Sequence, residues 1–121
     1  MPATPDTPAT PSLANCPVAH ALGLIGDRWT LLILRDLSLN PSRRFQDFQA
    51  SLTGCAPNTL SSRLKSMEEN GMVARRQYAE HPPRFEYLLT AKGHGARPVL
   101  KALRLWGAEL QAEADETPAA G

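Results

Sequence analysis

Three sets of residues in this chain have the types and spacing to do chemistry. The first is Cys16, followed directly by Pro17 and, four residues on, by His20. A proline at the first helical position has its φ preset and needs no N–H. Cys16 is therefore expected at a helix N-cap, where the dipole lowers a thiol pKa, with His20 on the same face at i+4. That pair suits a thiolate open to oxidants or electrophiles; the plainer alternative is a small buried apolar side chain. A zinc site would need three or four ligands, and His81 and His94 lie far along the chain, so neither metal nor cofactor is expected. Cys55 lies in a turn and is expected to fill core. The second set is Pro57, Asn58, Thr59, Ser61, Ser62, Arg63 and Lys65, which surround Leu60 and Leu64. If the leucines face inward, these small polar and donor groups face outward. Asn58 can address adenine or a phosphate, Arg63 guanine or a phosphate, and Thr59 and Pro57 a thymine methyl, while Ser61 and Ser62 permit close approach. Arg63 has a second reading beside core Leu64, as the partner of an internal carboxylate. The third set is cationic: Arg43 and Arg44, then Arg75, Arg76 and Arg84, with His81 nearby. Cations on both flanks of an outward helix are what phosphates ask for. Arg75 and Arg76 can also serve as edge-strand protection, and being adjacent they point opposite ways.

The elements that must position these groups follow from periodicity and turn signals. Residues 1–15, with Pro at 2, 5, 8 and 11, read as a disordered or polyproline tail. A first helix is expected from Pro17 to about Gly26, with Val18, Leu22 and Ile25 on one side. A second runs from an Asp27 cap to about Ser38 and is apolar nearly all round, which marks it as the most buried. Phe45, Phe48 and Leu52 define a third. The turn Thr53-Gly54-Cys55-Ala56 joins it to a fourth, opened by Pro57, with Leu60, Leu64 and Met67 inward and a stop at Asn70-Gly71. Two helices joined by a short turn containing Gly form a helix-turn-helix. Two alternating strands follow, Met72 to Tyr78 and Arg84 to Thr90, with Val73, Phe85, Tyr87 and Leu89 inward. Pro98 opens a last helix to about Ala114. It has two apolar stripes, Val99, Leu103, Trp106 and Leu110, and Leu105, Ala108 and Ala112; a small domain cannot cover both, so the second is expected to face a second copy, the alternative being a single wide core face. Residues 116–121 read as a frayed end.

Composition narrows the classes. The 121 residues, 42% hydrophobic, amount to one domain over residues 16–115. No apolar run approaches 18 residues, no secretory signal is visible, and two cysteines do not make a disulfide scaffold, so a cytoplasmic location is expected. The net charge of +1 conceals a split. Residues 43–104 hold eleven Lys or Arg against five Asp or Glu, whereas the end carries Glu109, Glu113, Asp115 and Glu116. A polyanion is thus a partner for the middle of the chain only. No nucleophile elbow, zinc-protease helix, Walker loop or dinucleotide loop is present, so an enzyme is not expected.

The blocks Cys16-Pro17-Val18, Gly26-Asp27-Arg28-Trp29-Thr30-Leu31-Leu32-Ile33-Leu34-Arg35-Asp36-Leu37, Ala56-Pro57-Asn58-Thr59-Leu60-Ser61-Ser62-Arg63-Leu64, and Pro83-Arg84-Phe85-Glu86-Tyr87 with Leu89-Thr90 and Trp106-Gly107 stand in an order that resembles the HxlR-type winged helix-turn-helix regulators, relatives of the MarR group. The resemblance implies a mainly α fold with a small β-hairpin wing (α+β), and a homodimer on operator DNA that represses or activates nearby genes. It also implies an electrophile or oxidant signal in the branch that uses the cysteine near the first helix. Ala56 departs from the Ser that many members carry at that cap. Dimerisation is expected through the N- and C-terminal helices, with Leu22, Leu103, Leu105, Trp106 and Leu110 at the interface. An effector pocket lined by Trp29, Trp106 and leucines is expected between those helices and the recognition pair. The competing reading is a winged-helix module that docks proteins and leaves its basic face unused.

Overall fold

The computed structural model describes residues 13–116. Of the N-terminal tail, residues 1–12 lie outside that range, as do residues 117–121. Leu13 and Ala14 are helical and Asn15 is in a turn, so order begins earlier than the proline spacing suggested; the Cys16 N–H closes this turn on the Leu13 carbonyl at 3.2 Å. Helix α1 spans Pro17–Ile25, α2 Arg28–Leu39, α3 Phe45–Ser51 and α4 Pro57–Glu69. Strands β1 (Val73–Glu80) and β2 (Pro83–Leu89) form an antiparallel hairpin, and α5 (Ala91–His94) and α6 (Arg97–Glu116) complete the chain.

The core forms where α2, α3, α4 and the root of the hairpin meet. Ile33, Leu34, Phe48, Leu60 and Leu64 are fully buried, joined by Leu37, Leu52, Met67, Met72, Val73 and Leu89. All but Leu52 and Met72, which flank α3 and β1, come from the apolar stripe of their element, and burying such a side chain stabilises by about 1.5–3 kcal/mol. Asp27 caps α2 as expected, its Oδ2 accepting from the Thr30 N–H at 3.0 Å. Helix α4 ends at Asn70, and Gly71 then takes φ +75, where a side chain would be strained.

The hairpin is longer than alternation suggested. Glu80 pairs with Pro83, so the tip shrinks to His81-Pro82, and the register slips at Tyr78. The segment before α3 adds an isolated antiparallel bridge, Arg43 with Tyr87, through bonds of 2.9 and 2.7 Å. The Phe48 ring meets Tyr87 edge-on, fixing the hairpin to the helix-turn-helix. At the hairpin root the Thr90 hydroxyl donates to the Gly71 and Met72 carbonyls and accepts from the Gly93 N–H. Gly93 presses on the Met72 carbonyl so closely that a Cβ there would clash.

Helix α6 departs most from the sequence reading. Leu100 and Ala96 pack on the core cluster. Val99, Leu103, Trp106 and Leu110 of the first stripe are exposed in the single chain, and so is Leu105 of the second. On α1, Val18 and Leu22 are likewise exposed and only Ile25 is buried. Helical spacing marks a stripe as apolar without saying whether the body of the same chain is wide enough to cover it.

Candidate nucleic-acid interface

Helix α4 is held by its inner face: Leu60, Leu64 and Met67 are buried. Pro57, Asn58, Ser61, Ser62 and Lys65 are exposed on the other side, and Thr59 and Arg63 are half-buried. The predicted outward set is therefore brought together on one helix. Ala56 sits at the N-cap with extended backbone and no side-chain bond to the helix. The first turn of any helix has N–H groups without intrahelical partners; here they open beside the exposed Asn58, with the positive end of the dipole behind them.

The cations are less free than their number suggests. Arg63 donates from Nε to Asp27 Oδ2 at 2.9 Å, the internal-carboxylate reading of this residue. That bond ties α4 to the cap of α2. Burial pushes the Asp27 carboxyl up, but the Thr30 N–H bond and the Arg63 pair outweigh it and leave the group below its ordinary value. Arg43 is turned inward to Asp36, at 3.6 Å, and Arg35 holds the same carboxylate at 2.9 Å; Asp36 is 3% exposed. Arg44 lies over the Tyr78 ring at 4.4 Å, while its N–H is accepted by Asp47 Oδ2. Arg75 stacks on Phe85 at 4.5 Å, with Glu68 of α4 at 3.9 Å. Arg76 pairs with Glu86 at 2.7 Å, and Ser42 also donates to that carboxylate; these two hydrogen bonds hold Glu86 below the ordinary carboxylate range. The adjacent arginines thus take different partners, as their strand positions required. His81, at the tip, is exposed with Glu80 4.0 Å away. Lys65 and Arg84 are exposed and form no ion pair among the described residues. The sequence reading missed Asp36, Asp27 and Glu86 as the groups that orient this surface. The one acid in α2, Asp36, set next to buried Leu37, was the available signal.

Cys16 is a half-buried free thiol at the N-cap of α1, with no side-chain bond to the helix or to the exposed His20. Cys55 packs against the core as expected, and burial pushes its thiol up. Among the described residues no three His, Cys, Asp or Glu are grouped to hold a metal ion, and no helix is long and apolar enough to cross a membrane. Trp106 is exposed, and an open groove of about 1130 Å³ runs between α2 and α6, lined by leucines of both helices and by neither Trp29 nor Trp106.

Comparison with known proteins agrees with this geometry. The model of the HxlR-like helix-turn-helix family matches residues 24–115. The chain is 39% identical over 94 residues to the HTH-type transcriptional regulator sll1512 of Synechocystis, spanning 78% of this chain and 69% of that protein. The solved structure of the redox regulator HypR in its reduced form superposes with a TM-score of 0.75 at 26% identity, over 83% of this chain and 98% of that one. The reduced form of the transcriptional regulator YodB from B. subtilis gives a TM-score of 0.56 at 32% identity, over 88% and 97%. With its helix-turn-helix, two-stranded wing and outward polar helix, this chain belongs to the HxlR-like helix-turn-helix family and is a DNA-binding transcriptional regulator.

Proposed function

We propose that the chain binds a palindromic operator as a homodimer and represses the gene the operator controls. One observation carries this reading: α4 presents Asn58, Ser61, Ser62 and Lys65 outward beside an uncapped N-terminus. Each α4 enters a major groove, with half-sites about 10 bp apart or a multiple of that. Asn58 reads an adenine edge, Thr59 and Pro57 meet a thymine methyl, and the serines allow close approach. Lys65, Arg44 and Arg84 hold phosphates, with the tip of the wing and His81 over the adjacent backbone. Arg43, Arg75 and Arg76 serve the interface mainly by holding its parts in place, given their internal partners. Arg63 reaches DNA with its terminal amino groups while Nε stays on Asp27.

The dimer forms through α1 and α6, whose Leu22, Leu103, Leu105, Trp106 and Leu110 are 40% to 59% exposed in the single chain. Contiguous exposed apolar surface of this kind calls for a partner. Cys16 stands at the N-cap of the α1 that carries Leu22, so oxidation or alkylation of its thiol would disturb the dimer and release DNA. Selection from a DNA library at two salt concentrations, with and without a mild oxidant, tests the reading. A palindromic site whose affinity falls with salt is expected, with loss on oxidation in the native chain and not in Cys16→Ser. A folded dimer that enriches no site at low salt refutes specific operator binding.

A further inference from the structure

The carboxylate of Asp27 is more than a helix cap requires. A cap needs one acceptor, and Ser, Thr or Asn supplies it without charge. Asp27 is charged: burial pushes its carboxyl up, but the Thr30 N–H bond and the Arg63 pair hold it below its ordinary value. An acid paired to the helix that meets DNA repels phosphates, so its charge works against general DNA binding. What that charge does instead is hold Arg63. The hold is built on a fixed point. Thr30, 4% exposed, donates to Asp27 Oδ2 through its N–H at 3.0 Å and its hydroxyl at 3.3 Å. The same oxygen accepts from Arg63 Nε at 2.9 Å. Arg63 therefore cannot swing to the nearest phosphate without losing that bond. Its two terminal amino groups form no hydrogen bond or ion pair among the described residues, and they stand as a planar fork of donors.

We infer that Asp27 is a positioning residue for sequence reading: it aims the Arg63 fork at O6 and N7 of one guanine in each half-site, within one or two base pairs of the base that Thr59 meets. This rests on the operator binding proposed above and deepens it by naming one base and the residue that enforces it. Arg63 follows Thr59 by one turn of α4, and both are half-buried. A turn of about 5.4 Å covers between one and two base-pair steps of about 3.4 Å. Guanine offers the fork two acceptors side by side in the major groove, which no other base does. An untethered arginine reaches phosphates as readily as bases, and phosphate contacts carry no sequence.

Affinities of the full chain for its selected operator, with each position changed in turn to the other three bases, test this at one salt concentration. The native chain should prefer guanine at one position of each half-site by about tenfold or more. Arg63→Ala should abolish that preference. Asp27→Asn, which still caps α2, should reduce it to about twofold or less, with the preferences elsewhere kept and affinity for unrelated DNA equal or higher. Adding Asp27→Asn to Arg63→Ala should change that position no further. A carboxylate that only stabilised the fold would weaken binding to all sites alike and shift no preference. Asp27→Ser, another uncharged cap, takes the place of Asp27→Asn if the latter loses native circular dichroism, and should behave the same. If Asp27→Asn keeps a guanine preference that Arg63→Ala abolishes, or if Arg63→Ala moves no preference, the assignment is overturned and operator binding stands. A native chain that enriches no site overturns operator binding itself.

Discussion

Asp27 holds two helices with one oxygen, and the two duties can be separated. Its Oδ2 accepts from the Thr30 N–H at 3.0 Å and the Thr30 hydroxyl at 3.3 Å, which caps α2, and from Arg63 Nε at 2.9 Å, which ties α2 to α4. Replacing an N-cap Asp by Ala costs about 0.5–2 kcal/mol. The ion pair is worth less: both side chains are about a third exposed, and water-screened pairs contribute about 0.2–1 kcal/mol. Asp27→Ala should therefore destabilise by about 1–2.5 kcal/mol. Asp27→Asn keeps an acceptor for Thr30 and should lose only about 0.5–1 kcal/mol, close to the loss in Arg63→Ala. Urea unfolding at one fixed protein concentration, with the double variant closing the cycle, measures both contributions. If Asp27→Asn loses as much as Asp27→Ala, or Arg63→Ala loses more than either, the cap does not outweigh the ion pair and the ranking of the two is refuted. The pH dependence follows with a definite sign. Because the folded carboxyl lies below its ordinary value of 3.8, the stabilisation is complete above that value. It is lost as pH falls through the lower, folded value. Asp27→Asn should remove that part of the acid limb and leave the neutral range flat.

Three further outcomes are expected. Asp36→Ala strands the inward-turned Arg43 and should cost about 1–3 kcal/mol in denaturant unfolding. This is below the loss for a fully buried pair, because Arg35 and Arg43 keep some access to water; an unchanged midpoint would show that the carboxylate is not orienting Arg43. Gly93→Ala drives a methyl into the Met72 carbonyl and should cost about 1–3 kcal/mol or more, read as a lowered melting temperature. Arg84→Ala should lower operator affinity about evenly across sequences and reduce the salt slope by about 1 for each phosphate it no longer neutralises; a change confined to one base position would mean that Arg84 reads bases instead.

The helices were legible because each announces itself locally. Asp27 before Trp29, Pro57 after a turn with Gly, and Asn70-Gly71 at a helix end are signals within four residues of the boundary they set. The inner face of α4 was legible for the same reason, and with it the outward set from Pro57 to Lys65. Two things were not. The length of the hairpin depends on whether Ala79 and Glu80 find partners across the tip, which alternation cannot show once the register slips at Tyr78. The fate of the α6 stripes depends on how much body the chain has left to cover them. Leu103 and Trp106 have the same periodicity whether they face a core or a partner.

The cationic surface shows the same limit in electrostatic form. The excess of base between residues 43 and 104 is a property of the sequence, but its availability is not. Arg63 meets Asp27 across 36 positions, and Arg76 meets Glu86 across the hairpin. Arg43 is drawn inward by Asp36, while Arg44 and Arg75 lie on the rings of Tyr78 and Phe85. The ion pairs reduce the charge their guanidinium can offer to a phosphate without rearranging, and the ring contacts hold Arg44 and Arg75 in one orientation. What remains open is the surface around Lys65 and Arg84, together with the N–H groups at the head of α4. The internal pairs tie α2 to α4, the segment before α3 to α2, and the two strands of the wing to each other. Loose cations attract any polyanion equally; under the proposed operator binding, the carboxylates of Asp27, Asp36 and Glu86 would favour selectivity by holding their arginines in place.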